Sequence, residues 1–224
     1  MLTTEERIKI QIDREEVLRY LGYQAGHKVA ARVSSLVDRH IQSASQLIEP
    51  QYSYVIRDVD RVEGARVFLG DVTFESQVIA QLMRRCQKAA IFAVTIGGLL
   101  EMKVRQLAKA GRVLEAAVVD AVGSDAAERA ATAVQNRVRE IANAQGLGIS
   151  LRFSPGYCDW DIGQQTMLFQ ALNGRSPGIR LTDSCLMVPR KSVSGVIGMS
   201  PHGDELERWS PCKSCKRRNC PGKR

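Results

Sequence analysis

The chain has 224 residues, 44% of them hydrophobic, and a formal net charge of +8, which suits one core-forming domain, alone or with an appendage. Its charged start, Met1-Leu-Thr-Thr-Glu-Glu-Arg7, lacks an apolar signal region, and no apolar run approaches a membrane span, so a soluble, cytoplasmic protein with no membrane partner is expected. The basic excess belongs to the end: residues 208–224 carry seven basic groups and no acidic one, leaving 25 basic against 24 acidic before them, and no aromatic or helical docking pattern accompanies the charges, which speaks against nucleic acid.

In chain order, Asp13-x-x-Glu16 has the capping-box pattern and opens a short helix with Val17, Leu18 and Leu21 on its apolar side, stopping at Gly22. Apolar residues at helical spacing predict a second helix from Lys28 to about Ile48, closed by Pro50. Tyr52–Ile56 and Arg66–Leu69 read as short strands rich in aromatic and β-branched residues. Ser76 caps a helix through Cys86, Ala89–Ile96 is a continuously apolar buried strand, and Gly97-Gly98 releases a helix ending near Gly111. Residues 112–145 are helical, with a break expected at Gly123-Ser124-Asp125, and Gly146-Leu-Gly148 stops them. Asp161-x-x-Gln164 starts a helix closed by Asn173-Gly174. Leu181–Val188 and Ser192–Gly198 read as two strands of a hairpin turning at Pro189-Arg190-Lys191. Helices and strands mix without βαβ alternation, so the fold class is α+β.

The densest chemistry lies in Arg152-Phe153-Ser154-Pro155-Gly156-Tyr157-Cys158-Asp159-Trp160. Arginine offers a planar fork for a carboxylate, tyrosine a hydroxyl and a π face, and Pro-Gly a turn that lets backbone approach a ligand. A strand end and turn without a ligand fits the same residues.

Arg152-x-x-x-Gly156-Tyr157 resembles the S-adenosylmethionine motif of the activation domain of cobalamin-dependent methionine synthase. Leu181-Thr-Asp-Ser-Cys-Leu-Met-x-Pro189-x-x-Ser192-Val-Ser-Gly195 is similar to that family's Leu-Thr-Glu-Ser strand and Ser-Val-Ser turn. Ala-Ala-Glu128-Arg-Ala-Ala with Arg137-Val-Arg139 is similar to its long helix, and Ile12-Asp13 to its opening. The resemblance covers residues 10–200, most densely 120–200. It implies a single α+β domain with a twisted antiparallel sheet, taken as residues 1–207; the charge and cysteine counts make 208–224 a basic, Cys-rich tail.

The resemblance also implies a function: a stand-alone subunit that binds S-adenosylmethionine and supports reductive methylation of cob(II)alamin on a partner cobalamin-dependent methionine synthase, fed by an electron donor protein. That would make it a methyltransferase subunit. The site residues carried over are Arg152, Pro155, Gly156, Tyr157, Glu128 and Asp13. Arg152 suits the methionyl carboxylate, Glu128 or Asp13 the ammonium, and Tyr157 the cationic end. From the residues alone, Glu128 reads as a solvated helical glutamate and Asp13 as an N-cap.

The sequence departs from the family in having no tyrosine after Tyr157 and in carrying Cys158-Asp159-Trp160 after Gly-Tyr. It also has no corrinoid-binding half, so the cobalamin is expected on another chain. Asp38-x-His40 matches the start of a cobalt-ligand motif, but Ser43 stands where glycine belongs. Two alternatives remain open: service to another corrinoid methyltransferase system, or a non-catalytic module binding S-adenosylmethionine or metal.

Cys212-x-x-Cys215-x-x-x-x-Cys220-Pro221 is a compact thiol cluster. Three thiolates supply most of a zinc site or an iron–sulfur site, with Cys158 or Cys185 as candidates for a fourth ligand; a disordered basic tail is the alternative. If the cluster binds metal, anaerobically purified chain contains iron or zinc, and Cys212→Ser, Cys215→Ser and Cys220→Ser each lower that content. Elemental analysis at background level in the unmodified chain would reject the site.

Overall fold

A computed structural model describes residues 8–24, 26–174 and 176–210; the cysteines at 212, 215 and 220 lie outside the described residues. The centre is a four-stranded antiparallel sheet of β1 (Gln51–Asp58), β5 (Lys88–Thr95), β9 (Ser192–Ser200) and β6 (Gly148–Phe153), in the order β1-β5-β9-β6. β5 is continuously apolar because both its faces are buried. Ala90, Phe92 and Val94 enter one core, while Ala89, Ile91 and Ala93 enter another, as the period-two alternation of a strand requires.

Helices cover the first face: α1 (Arg14–Tyr20), α2 (Ala31–Ser43), α4 (Leu99–Lys109) and the 31-residue α5 (Val113–Asn143). On the other face lie a meander of β2 (Arg61–Glu63), β3 (Arg66–Leu69) and β4 (Val72–Glu75), with α3 (Gln77–Met83), α6 (Gln165–Ala171) and α7 (Gly203–Arg208). The strands β7 (Arg180–Leu181) and β8 (Met187–Val188) pair only with each other. This is the α+β architecture expected. No described helix is long and apolar enough to cross a membrane.

Local signals held where they rest on capping chemistry. The Asp13 carboxylate accepts from the Glu15 and Glu16 N–H groups at the start of α1, and the Ser76 hydroxyl accepts from Ile79 N–H at the start of α3. Three expectations are corrected. The second helix is shorter than 28–48, running Ala31–Ser43 before a 3-10 turn. α5 runs through Gly123 without a break, because each of the three suspect residues has a reason to be helical. A Cβ at Gly123 would meet the Leu100 side chain at 2.5 Å, so glycine there lets α4 come close. Ser124 Oγ donates to Asp120 O, and the buried Asp125 carboxylate accepts from Asp13 N–H. Finally, the hairpin lies within 180–188 rather than around Pro189-Arg190-Lys191. Lys191 and Arg190 N–H instead donate to the Glu101 carboxylate on α4, and β9 goes on to pair with β5 and β6.

One irregularity positions the motif. Between β6 and β9 the register passes from Ile149 opposite Met199 to Arg152 opposite Ile197, so three residues on β6 span two on β9. That β-bulge shifts the phase of the strand. Ile149 packs in the helical core, and after the bulge Arg152 again faces α5 while Phe153 faces the other core. Ser150 Oγ fills the gap in the ladder by accepting from Gly198 N–H at 2.9 Å.

Candidate functional site

Arg152 meets α5 through three side chains spaced along one helical face. Its Nη2 donates to Glu128 Oε2 at 2.5 Å, and its Nη1 donates to Gln135 Oε1 at 3.0 Å and to Thr132 Oγ1 at 3.4 Å. Positions 128, 132 and 135 follow the i, i+4, i+7 stripe of a helix. The pair is accessible, with 24% of the Arg152 side chain and 41% of the Glu128 side chain exposed. The geometry therefore brings together two residues assigned separately from the sequence. Gln135 and Thr132 were missed there, although their spacing from Glu128 was the signal that would have found them.

Glu128 has a second neighbour in Tyr20, the last residue of α1. Burial pushes the Tyr20 hydroxyl pKa up, and the Glu128 charge adds to the rise. Asp13, at the other end of α1, is placed differently. Its carboxylate caps the helix and accepts from Arg129 Nη2 at 2.9 Å, while its N–H donates to Asp125 Oδ2 at 2.7 Å. Hydrogen bonds from Glu16 N–H, then from Glu15 N–H and Arg129, hold the Asp13 carboxyl below the usual carboxylate range. Asp13 thus ties α1 to α5 one residue away from Glu128.

The turn after Arg152 closes on itself. Gly156 N–H donates to Trp160 O at 2.7 Å, Trp160 N–H to Tyr157 O at 3.0 Å, and Ser154 Oγ to Ser194 O at 2.6 Å. Gly156 adopts φ +91°, in the left-handed region that disfavours side chains, and a Cβ there would lie 3.3 Å from Ile162 Cδ1. Pro155 is buried and Tyr157 is 62% exposed, so the turn presents the tyrosine outward. A close approach fixes its base: a Cβ on Gly195 would stand 2.3 Å from Phe153 O, so β9 needs glycine there for β6 to pair.

The residues after Gly-Tyr anchor the turn in the second core. Trp160 is 2% exposed, packs edge-on to Phe74 at 5.2 Å and donates its Nε1–H to Gln164 Oε1. The Asp159 carboxylate accepts from Ser76 Oγ at 2.7 Å and from the N–H groups of Gln77 (2.6 Å) and Val78 (3.3 Å), capping α3 from a distant segment. Burial works to raise the Asp159 carboxyl, and the hydrogen bonds from Ser76, Gln77 and Val78 outweigh it, leaving a lowered pKa. Gln165, 3% exposed, links the remaining loop: its Nε2 donates to Cys185 O and its Oε1 accepts from Ser194 Oγ.

Cys158 and Cys185 both have positive φ and neither joins a disulfide; among the described residues no group of three or more His, Cys, Asp and Glu gathers as a metal site. His40 is not open to a ligand either. Its Nε2 lies 3.3 Å from Glu115 Oε1, with only 12% of the side chain exposed, and Asp38 pairs with Arg14. The Asp38-x-His40 overlap is thus part of the helix packing.

The chain matches the family model described as vitamin B12 dependent methionine synthase, activation domain, over residues 75–207. A solved crystal structure of the MetH reactivation domain bound to AdoHcy has the same fold, with a TM-score of 0.67 and 16% identity, over 86% of this chain and 75% of that one. No match is found among curated proteins.

The capping role of Asp159 sets a stability test. Asp159→Ala should lower stability by about 1–2 kcal/mol near neutral pH, as loss of a helix cap does. Because the folded carboxyl titrates below the ordinary aspartate value of 3.8, its contribution is present above that value and lost as pH falls through the lower, folded pKa. Denaturation curves of the two proteins should therefore stay apart at pH 5 and converge only below about pH 3.8; curves that coincide at pH 7 would contradict the cap.

Proposed function

The chain belongs to the family of the vitamin B12 dependent methionine synthase activation domain, and on that premise we propose that it binds S-adenosylmethionine between α5 and the 152–157 turn and presents the methyl group to a corrinoid on a partner protein. The observation that carries the proposal is the Arg152–Glu128 pair, a half-buried but accessible cation and anion set side by side at the head of a Gly-Tyr turn. The zwitterionic methionyl end of the ligand has the complementary pattern. Its carboxylate would replace Glu128 as the partner of Arg152, and its ammonium would take up Glu128, so each charge exchanges one partner for another at little desolvation cost.

In this reading Gln135 and Thr132 keep the guanidinium oriented while the exchange occurs, since both contact Nη1 and leave Nη2 to the ligand. Tyr157, on the open side of the turn, would meet the sulfonium with its π face or hydroxyl. Pro155 and Gly156 would bring backbone groups to the adenine edge. Asp13 enters as a positioning residue, holding α1 and Tyr20 beside Glu128 through Arg129 and Asp125. When bound, S-adenosylmethionine supplies an electrophilic methyl group and leaves as a neutral thioether, so no residue here has to move a proton. The residues bind and orient, and the rate advantage lies in alignment.

The partner is proposed to be a cobalamin-dependent methionine synthase that also draws on an electron donor protein; another corrinoid methyltransferase would use the same site. Isothermal titration with S-adenosylmethionine tests the assignment. Arg152→Ala should weaken binding by about 2–3 kcal/mol, roughly 30- to 150-fold, as expected for a charge-assisted contact, and Glu128→Gln should weaken it comparably. Unchanged affinity in both variants would remove the ligand from this turn.

A further inference from the structure

About 20 Å along α5 from Glu128, counted at 1.5 Å per residue, α2 and the start of α5 enclose an open groove of about 540 Å³. Arg32, Leu36 and Arg39 line one wall; Arg112, Val113 and Leu114 line the other. The groove is unusual in its charge balance. Its one carboxylate, Glu115, is already neutralised from within: Arg112 Nε and Nη2 donate to it at 2.5 and 2.7 Å, and His40 Nε2 lies 3.3 Å away. Asp38, next to Arg39 on α2, is turned to Arg14. Among the described residues, neither Arg32 nor Arg39 has an ionic partner.

Two of the apolar groups are open to solvent as well. Val113 is 69% exposed and Leu114 38% exposed, across from Leu36. Leu36 itself is half-buried against the helical core; two exposed apolar side chains beside it, between arginines without an ionic partner, mark an interaction surface.

We infer that this groove docks an acidic amphipathic segment of a partner protein. Charge complementarity and spacing choose that occupant. Arg32 and Arg39 are seven residues apart on α2, so they share a face and stand about 10 Å apart. That separation is too long for both to grip one small anion, and it matches two carboxylates two turns apart on a helix, with an apolar side chain between them to meet Leu36. The chain's own end is the wrong sign, since residues 208–224 are basic without an acidic group. The inference goes beyond the S-adenosylmethionine reading and does not depend on it. It names a second face through which the chain is held to a partner.

The test uses the full chain with labelled valine and leucine methyl groups, observed by NMR. The probe is a synthetic helical peptide carrying two glutamates seven residues apart around a leucine. A matched peptide with lysines for the glutamates and inorganic phosphate serve as controls. The acidic peptide should shift the Leu36, Val113 and Leu114 methyl signals, with an affinity that falls as salt rises. Arg32→Glu with Arg39→Glu should weaken it at least tenfold; Arg32→Gln with Arg39→Gln gives the same reading if the reversal unfolds the chain. Equal shifts from the lysine peptide or from phosphate would overturn the proposal, as would unchanged affinity in both variant pairs. So would displacement of the same signals in the peptide-free chain on deletion of residues 1–7, or with rising protein concentration. Those two results would give the groove to the chain's own N-terminal glutamates or to a second copy.

Discussion

The β-bulge in β6 is the constraint on which the site depends. A regular strand paired with β9 would place Ile149 and Arg152 on opposite faces. Because one extra residue is inserted between them, both face the helical side, and Arg152 reaches Glu128, Thr132 and Gln135 on α5. Phe153 is then free to enter the other core with Trp160. The bulge is itself held in place, since Ser150 Oγ accepts the Gly198 N–H that the ladder leaves without a carbonyl.

This arrangement divides labour between the two faces of the sheet. The charged pair proposed for recognition sits on the helical side, where α5 supplies the partners for Arg152. Rigidity comes from the meander side, where Trp160 packs on Phe74 and Asp159 caps α3. The turn from 154 to 158 crosses between them at the sheet edge, so an exposed tyrosine is carried on a loop anchored at both ends. Preorganisation of this kind limits the entropy lost when a ligand binds. The Arg152–Glu128 pair contributes in the same way, because each group is already oriented by the charge that the ligand would replace.

Much of this was legible in the sequence where local chemistry decides. Asp13 and Ser76 cap the helices they were expected to cap, and the apolar run at 89–96 is a strand buried on both faces. The family was legible as well, through Arg152-x-x-x-Gly156-Tyr157 and the Leu181-Thr-Asp-Ser segment. What escaped depends on tertiary pairing. Nothing in residues 148–153 announces a bulge, so the face of Arg152 and its bond to Glu128 were hidden. Gly123 looked like a helix breaker, and only the approach of Leu100 explains it. Pro189 looked like a hairpin turn, whereas Glu101 on α4 holds the following N–H groups and directs β9 into the sheet. The short strands β2 and β4 were missed because they are defined by their pairing to β3.

The charged pair between β6 and α5 is proposed as the seat of a zwitterionic ligand. A crystal structure of the chain soaked or co-crystallised with S-adenosylhomocysteine tests it most directly. The ligand carboxylate is expected on Arg152 and its ammonium on Glu128, with the Arg152–Glu128 contact lengthened beyond 2.5 Å and Tyr157 against the sulfur. Ligand bound elsewhere, with the Arg152–Glu128 contact intact, would contradict it.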